Sequence, residues 1–236
     1  MKFKLHILLF LALCVGVSRL QAQSDTSTLS GILVIRSPQT LSREIHADSS
    51  LQMEDLGREI PSLVMDLRYT TPENFLHRRL YPPLATTYMR RSAVGPLREV
   101  QAALRPFHLG LKIFDAYRPW SVTVAMWQAV PDDRYAADPS EGSGHNRGIA
   151  IDLTLIDERT HQELPMGTGF DSFSDSAHRD YTHLPVQILA NRLLLQTLME
   201  QRGFIGLSTE WWHFSLPDPH KYAVLDIPFA TLAASH

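Results

Sequence analysis

The only cysteine in this 236-residue chain, Cys14, lies inside an apolar run near the amino terminus. The run extends from about Ile7 to Val17, behind Lys2 and Lys4 and ahead of Leu20-Gln21-Ala22. A basic start, a short apolar stretch and a closing small residue form the pattern of a secretory signal, so residues 1–22 are expected to be cleaved off during export. The run is well short of the roughly 20 apolar residues that span a bilayer, which makes an uncleaved anchor the lesser alternative. Leu13 precedes Cys14 and Val15-Gly16-Val17 continue the apolar run, unlike a lipoprotein signal. The mature chain then has no cysteine, and disulfides, zinc thiolates and a cysteine nucleophile are excluded together. Any chemistry must use oxygen, imidazole or a bound metal.

Hydrophobic residues make up 44% and charged residues 20%, enough to bury a core and unlike a disordered or multi-span membrane chain. Three of the 22 basic residues (Lys2, Lys4 and Arg19) fall in the signal, leaving 19 against 25 acids, a net −6 for the rest. That balance argues against nucleic acid as a partner, since such binding rests on neutralising phosphates. After signal cleavage no membrane segment is expected.

Residues 23–59 are polar and read as a loosely structured lead or linker, with an edge strand at Ile32–Ile35 as the alternative. A single domain is expected over 60–236. Within it, 62–69 partly alternates like a strand, and Leu97, Val100 and Leu104 mark a helix over Pro96–Leu104. Leu109–Phe114 reads as a buried strand and Trp120–Val130 as a helix opened by Pro119. Ile149–Leu155 alternates as a strand, Val186–Arg202 is the longest helix, closed by Gly203, and Trp211–Leu216 is a last strand. Helices and strands intermix without a regular βαβ order, which favours the α+β class.

Three segments carry candidate chemistry. In Ser143-Gly-His145-Asn-Arg-Gly148-Ile-Ala-Ile-Asp152, an odd separation puts His145 and Asp152 on opposite faces of a continuous strand. They share a metal only if His145 sits in a glycine-rich bend before the strand; otherwise they are a loop histidine and a hydrogen-bonded strand acid. Glu210-Trp-Trp-His213 poses the same question: Glu210 has to lie at a loop edge to join His213, and a core tryptophan pair with an incidental histidine is the alternative. Asp115-Ala-Tyr-Arg118-Pro119 sits at a strand-to-helix turn, where Arg118 either pairs with a nearby acid or projects into a cleft to hold a carboxylate or oxyanion. If they converge, His145, Asp152 and His213 form a nitrogen and oxygen donor set with one vacant position, the composition of a catalytic zinc site.

These motifs, in this order, resemble the zinc D-alanyl-D-alanine dipeptidases of the vancomycin-resistance type. Asp66-Leu-Arg-Tyr69-Thr-Thr-x-x-Asn74-Phe75, Asp152-Leu-Thr-Leu155 and Pro165-Met-Gly-x-x-Phe170-Asp171 extend the resemblance over roughly residues 60–230. It implies one Zn2+ per chain on His145, Asp152 and His213, Glu210 as general base and acid, and Arg118 steadying the substrate carbonyl. Asp171 would hold the free ammonium of a small dipeptide, with Ser143 beside the same pocket. The implied fold is α+β, a small mostly antiparallel sheet flanked by helices, shared with lysostaphin-like and D-Ala-D-Ala carboxypeptidases. The expected activity is hydrolysis of D-alanyl-D-alanine or related D-dipeptides, in the periplasm. The alternatives are a D,D- or L,D-carboxypeptidase trimming peptidoglycan stems and a zinc-stabilised wall-binding module without turnover.

Overall fold

The computed structural model describes residues 26–29 and 32–234, and the expected signal at 1–22 lies outside them. The chain runs through β1 (Thr26–Leu29), β2 (Ile32–Ile35), α1 (Pro38–Ala47), β3 (Met53–Asp55), α2 (Leu56–Glu59) and β4 (Val64–Met65). It continues with β5 (Tyr88–Arg90), α3 (Arg91–Leu104), β6 (Leu109–Asp115), α4 (Trp120–Ala129), β7 (Ala150–Asp157) and α5 (Val186–Glu200). The last elements are β8 (Ile205–Gly206), β9 (His213–Ser215), β10 (Val224–Leu225) and α6 (Phe229–Ala233). The main sheet has the order β4-β6-β7-β9-β8, in which only the β4–β6 pair is parallel. The architecture is therefore α+β with a small, mostly antiparallel sheet.

Strand β7 organises both sides of that sheet. Ile151, Leu153 and Leu155 alternate onto one face and pack with Leu97, Val100 and Leu104 of α3 and with Leu195 and Met199 of α5. The other face carries Ala150, Asp152 and Thr154, which are also buried. A carboxylate in that position needs charged or hydrogen-bonding partners. His145 and His213 supply them. Beside Asp152 the ladder with β6 shifts register: Ile113 pairs with Leu153, yet Asp115 rather than Phe114 pairs with Asp152. The extra residue is a β-bulge, and it turns Asp115 toward the face that Asp152 occupies.

The lead at 23–59 is not loosely structured over its described part. Val34, Ile35, Leu41, Met53 and Leu56 are buried, β2 pairs in parallel with β10, and β3 pairs antiparallel with β5. The polar composition misleads because the apolar anchors occur singly or in pairs, and β2 finds its partner at the far end of the chain. Local signals for α1 are present: Ser37 accepts a hydrogen bond from the Thr40 amide, and Pro38 occupies the first turn. Within the core of the fold, α3 starts five residues before Pro96, so that this proline lies inside the helix. Gly95 before it has no Cβ for the proline ring to crowd, which eases the usual restriction on the preceding residue. The strand read over 62–69 shortens to β4, followed by a 3-10 turn at Arg68–Thr70.

Candidate active site

His145 sits in a turned segment that ends where β7 begins. Gly148 closes the turn at φ +71°, a backbone region that side chains with a Cβ rarely enter, and the Gly148 amide bonds to the His145 carbonyl. A Cβ on Gly148 would come within 2.9 Å of the Met53 sulfur, so glycine is needed for space as well as for conformation. On the other side, the Arg118 amide donates to the His145 carbonyl at 3.2 Å, tying the turn to the segment after β6. Asp152 and His213 then face each other as direct neighbours in the β7–β9 ladder.

These placements bring ligand-type atoms of three residues together. His213 Nδ1 lies 2.9 Å from Asp152 Oδ1, and His145 Nε2 lies 3.3 Å from Asp152 Oδ2 and 3.2 Å from His213 Nδ1. The two contacts to Asp152 fall on its two different oxygens, and one donor atom from each of the three residues lies within 4.8 Å of the others, so the cluster can hold a metal ion. His145 Nδ1 donates to the Ala116 carbonyl at 2.7 Å. A carbonyl can only accept, so the proton is on Nδ1 and the Nε2 lone pair points at the other two groups. An imidazole lone pair beside a buried carboxylate requires a cation between them, either a proton or a metal. Without a metal the cluster compensates internally. Burial opposes ionisation of Asp152, but the two imidazoles outweigh it and hold the carboxyl well below its ordinary range. Burial likewise opposes a charged His145, and the Asp152 carboxylate reverses that and raises its pKa.

The other expected residues gather around this set. Glu210 lies in the loop between β8 and β9, with Oε2 4.0 Å from His213 Nδ1. Burial raises the Glu210 pKa, and the neighbouring His213 only partly offsets this. Arg118 pairs with a nearby acid and also borders the cleft. Its Nε and Nη2 donate to Asp115 Oδ2 at 3.0 and 2.7 Å, while the guanidinium lines the cleft and lies 5.1 Å from the centre of the Tyr69 ring. Tyr81 donates to the other oxygen of Asp115 at 2.8 Å, so the acid that holds Arg118 is itself held. Asp171 adopts φ +58° and accepts from the Tyr69 hydroxyl at 3.2 Å. Burial first, and then the nearby Asp152 charge, push its pKa up to about 8. Ser143 borders the same cleft, where its hydroxyl accepts from the His145 amide at 3.1 Å.

The cleft holds about 240 Å3, smaller than the roughly 300–1,000 Å3 of pockets for drug-sized ligands. Trp212 is buried and forms part of its lining, so the tryptophan pair is core and site wall at once. Tyr135 and Phe173 also line it, with ring centres 4.3 Å apart. Sequence reasoning did not single out either ring. Phe173 follows Asp171 by two residues, a signal that was available; Tyr135 sits in a loop with no motif.

Two imidazoles, a carboxylate and a free acid around a small cleft are the equipment of a metallopeptidase. The comparisons with known proteins lead to the same class. Residues 49–231 match the Peptidase M15 profile, described as D-ala-D-ala dipeptidase, and the chain belongs to this family. A D-alanyl-D-alanine dipeptidase of Escherichia coli (strain K12) is 37% identical over 179 residues, covering 76% of this chain and 92% of that protein. One of Streptomyces coelicolor is 30% identical over 185 residues (70% and 92%), and one of Enterococcus faecium is 29% identical over 188 residues (69% and 91%).

Proposed function

We propose that this protein is a zinc-dependent dipeptidase that hydrolyses D-alanyl-D-alanine, with His145, Asp152 and His213 as the metal ligands. The observation that carries the reading is the meeting of those three side chains at 2.9–3.3 Å, with one imidazole tautomer fixed to offer its lone pair. When bound, zinc supplies Lewis acidity, polarising a carbonyl and lowering the pKa of water.

The chain's own groups account for the rest. Glu210, with its raised pKa, takes a proton from the attacking water and returns it to the leaving amine as the C–N bond breaks. The hydrolysis balances without a further reactant: the hydroxyl goes to the acyl carbon and the proton to the amine. Arg118 spends Nε and Nη2 on Asp115, and the rest of its guanidinium is available to the oxyanion, a role worth about 3–4 kcal/mol for one good donor. Asp171, steadied by Tyr69, pairs with the substrate's free ammonium group. An acid that the fold keeps protonated up to about pH 8 ionises when an ammonium group arrives beside it, and a blocked amino terminus brings no such charge. Ser143 borders this end of the pocket. The small cleft supports a dipeptide over a longer stem. The leader at 1–22 supports export, with the periplasm as the site of action.

The deciding assay offers D-Ala-D-Ala and an N-acylated tripeptide ending in D-Ala-D-Ala, each with and without chelator. Chelator-sensitive cleavage of the free dipeptide alone is expected. Cleavage of the blocked peptide alone would make the protein a carboxypeptidase, and binding without turnover would make it a wall-binding module.

A further inference from the structure

The first strands of the described chain reach the cleft through one loop. Residues 131–142 supply part of the cleft wall, including Tyr135, which packs on Phe173. Several contacts pin the loop, among them a hydrogen bond from Arg147 Nη2 to the Glu141 carbonyl at 2.8 Å. At its end Gly142, at φ +70°, is pressed so closely that an added Cβ would come within 2.7 Å of Val224 and 3.4 Å of Ile32. Nearer its middle, the Pro139 carbonyl accepts a hydrogen bond from the Trp120 indole at 3.0 Å. The Arg36 guanidinium in turn lies 5.3 Å from the centre of the Trp120 ring, within cation–π range. Its Nε lies 3.3 Å from Asp226 Oδ2, while Asp226 Oδ1 accepts the Ser121 amide in the first turn of α4. Arg36 directly follows β2, whose Val34 and Ile35 pair with Val224 and Leu225 of β10. Residues 32–36 fall outside the stretch that matches the family profile.

We propose that β2 and Arg36 form a brace that positions loop 131–142, and with it the Tyr135 wall of the cleft, so that Arg36 is a positioning residue for substrate affinity. The link to substrate rests on the dipeptidase reading; the link to the loop does not. A brace acts on the shape of the pocket and leaves the reacting groups in place, so its loss should appear in KM rather than kcat. A strut that only joins the two ends of the chain would change the melting temperature and neither of the other quantities.

The test uses the full chain with Arg36→Ala and Trp120→Phe. The second variant keeps an aromatic ring but loses the indole bond to Pro139. Kinetics on D-Ala-D-Ala are combined with hydrogen exchange at the Tyr135, Ala136, Glu141 and Gly142 amides, all of which are bonded within the loop. Both variants should raise KM several-fold with kcat within about twofold, and should exchange those amides faster than the parent while β7 amides keep their rates. Unchanged KM and unchanged loop exchange in either folded variant would overturn the brace. If the parent does not cleave the dipeptide, the function proposed above fails, and loop exchange alone then decides for or against the brace.

Discussion

Glu210 and Asp171 are both half-buried acids with raised pKa values, and they are expected to respond differently to substitution by the amide. Glu210→Gln keeps size and polarity but removes the proton acceptor. It should lower kcat by about 10²–10⁴ while zinc content stays at the parent level, as read by steady-state turnover and metal analysis. Asp171 has an ordinary value of 3.8 that the fold pushes up to about 8. In that window the native state holds a proton that the unfolded chain has released. The contribution of Asp171 to stability is therefore fully present below about pH 4 and is lost as pH rises toward 8. Asp171→Asn should remove this loss, so the metal-free variant should melt higher than the parent at pH 8 and close to it at pH 4, while cleaving dipeptide poorly. Equal pH dependence of melting in the two proteins would refute the assignment. At this scale the sequence motifs singled out side chains that the structure brings to one cleft, but not what tunes them. Nothing in the spacing shows that Asp115 is shared by Arg118 and Tyr81, because that contact depends on a bulge.

At the scale of elements, the bend before β7 is the feature on which the site depends. Gly148→Ala forces a Cβ into a left-handed backbone and toward the Met53 thioether. A cost of about 1–2 kcal/mol is expected, which for a domain of this size lowers the unfolding midpoint by about 2–8 °C in a thermal melt. Because His145 lies within the same turn, activity should fall further than stability alone explains. The bend was legible in the sequence because glycine at the bend has a strong conformational meaning and His145 could join Asp152 only from a loop. The long periodic elements were legible for a similar reason: α5 and β7 lie within a few residues of their expected bounds. Of the amino-terminal strands, β2 was legible as the alternative at Ile32–Ile35, although as an edge strand rather than one paired on both sides. Strand β3 was not, since its partner is remote in sequence and a short strand has no periodicity long enough to reveal it. Neither was Pro96 inside α3, where Gly95 relieves a clash that would ordinarily mark a helix boundary.

For the molecule as a whole, the proposed metal would link segments that the chain keeps far apart: a loop residue at 145, a strand residue at 152 and a second strand at 213. Ligand binding restricted to the native state stabilises it by about 2.7 kcal/mol at a hundred times the dissociation constant. Chelation should therefore lower the unfolding midpoint, readdition of zinc should restore it, and Asp152→Asn should show no zinc-dependent gain in differential scanning calorimetry. Among the described residues no helix is long and apolar enough to cross a membrane. The most direct test is an anomalous difference map at the zinc edge from crystals of the loaded protein. A single strong peak about 2.0–2.1 Å from His145 Nε2, His213 Nδ1 and an Asp152 oxygen is expected. A map with no peak among those three atoms, or with its strongest peak elsewhere on the chain, would contradict the account.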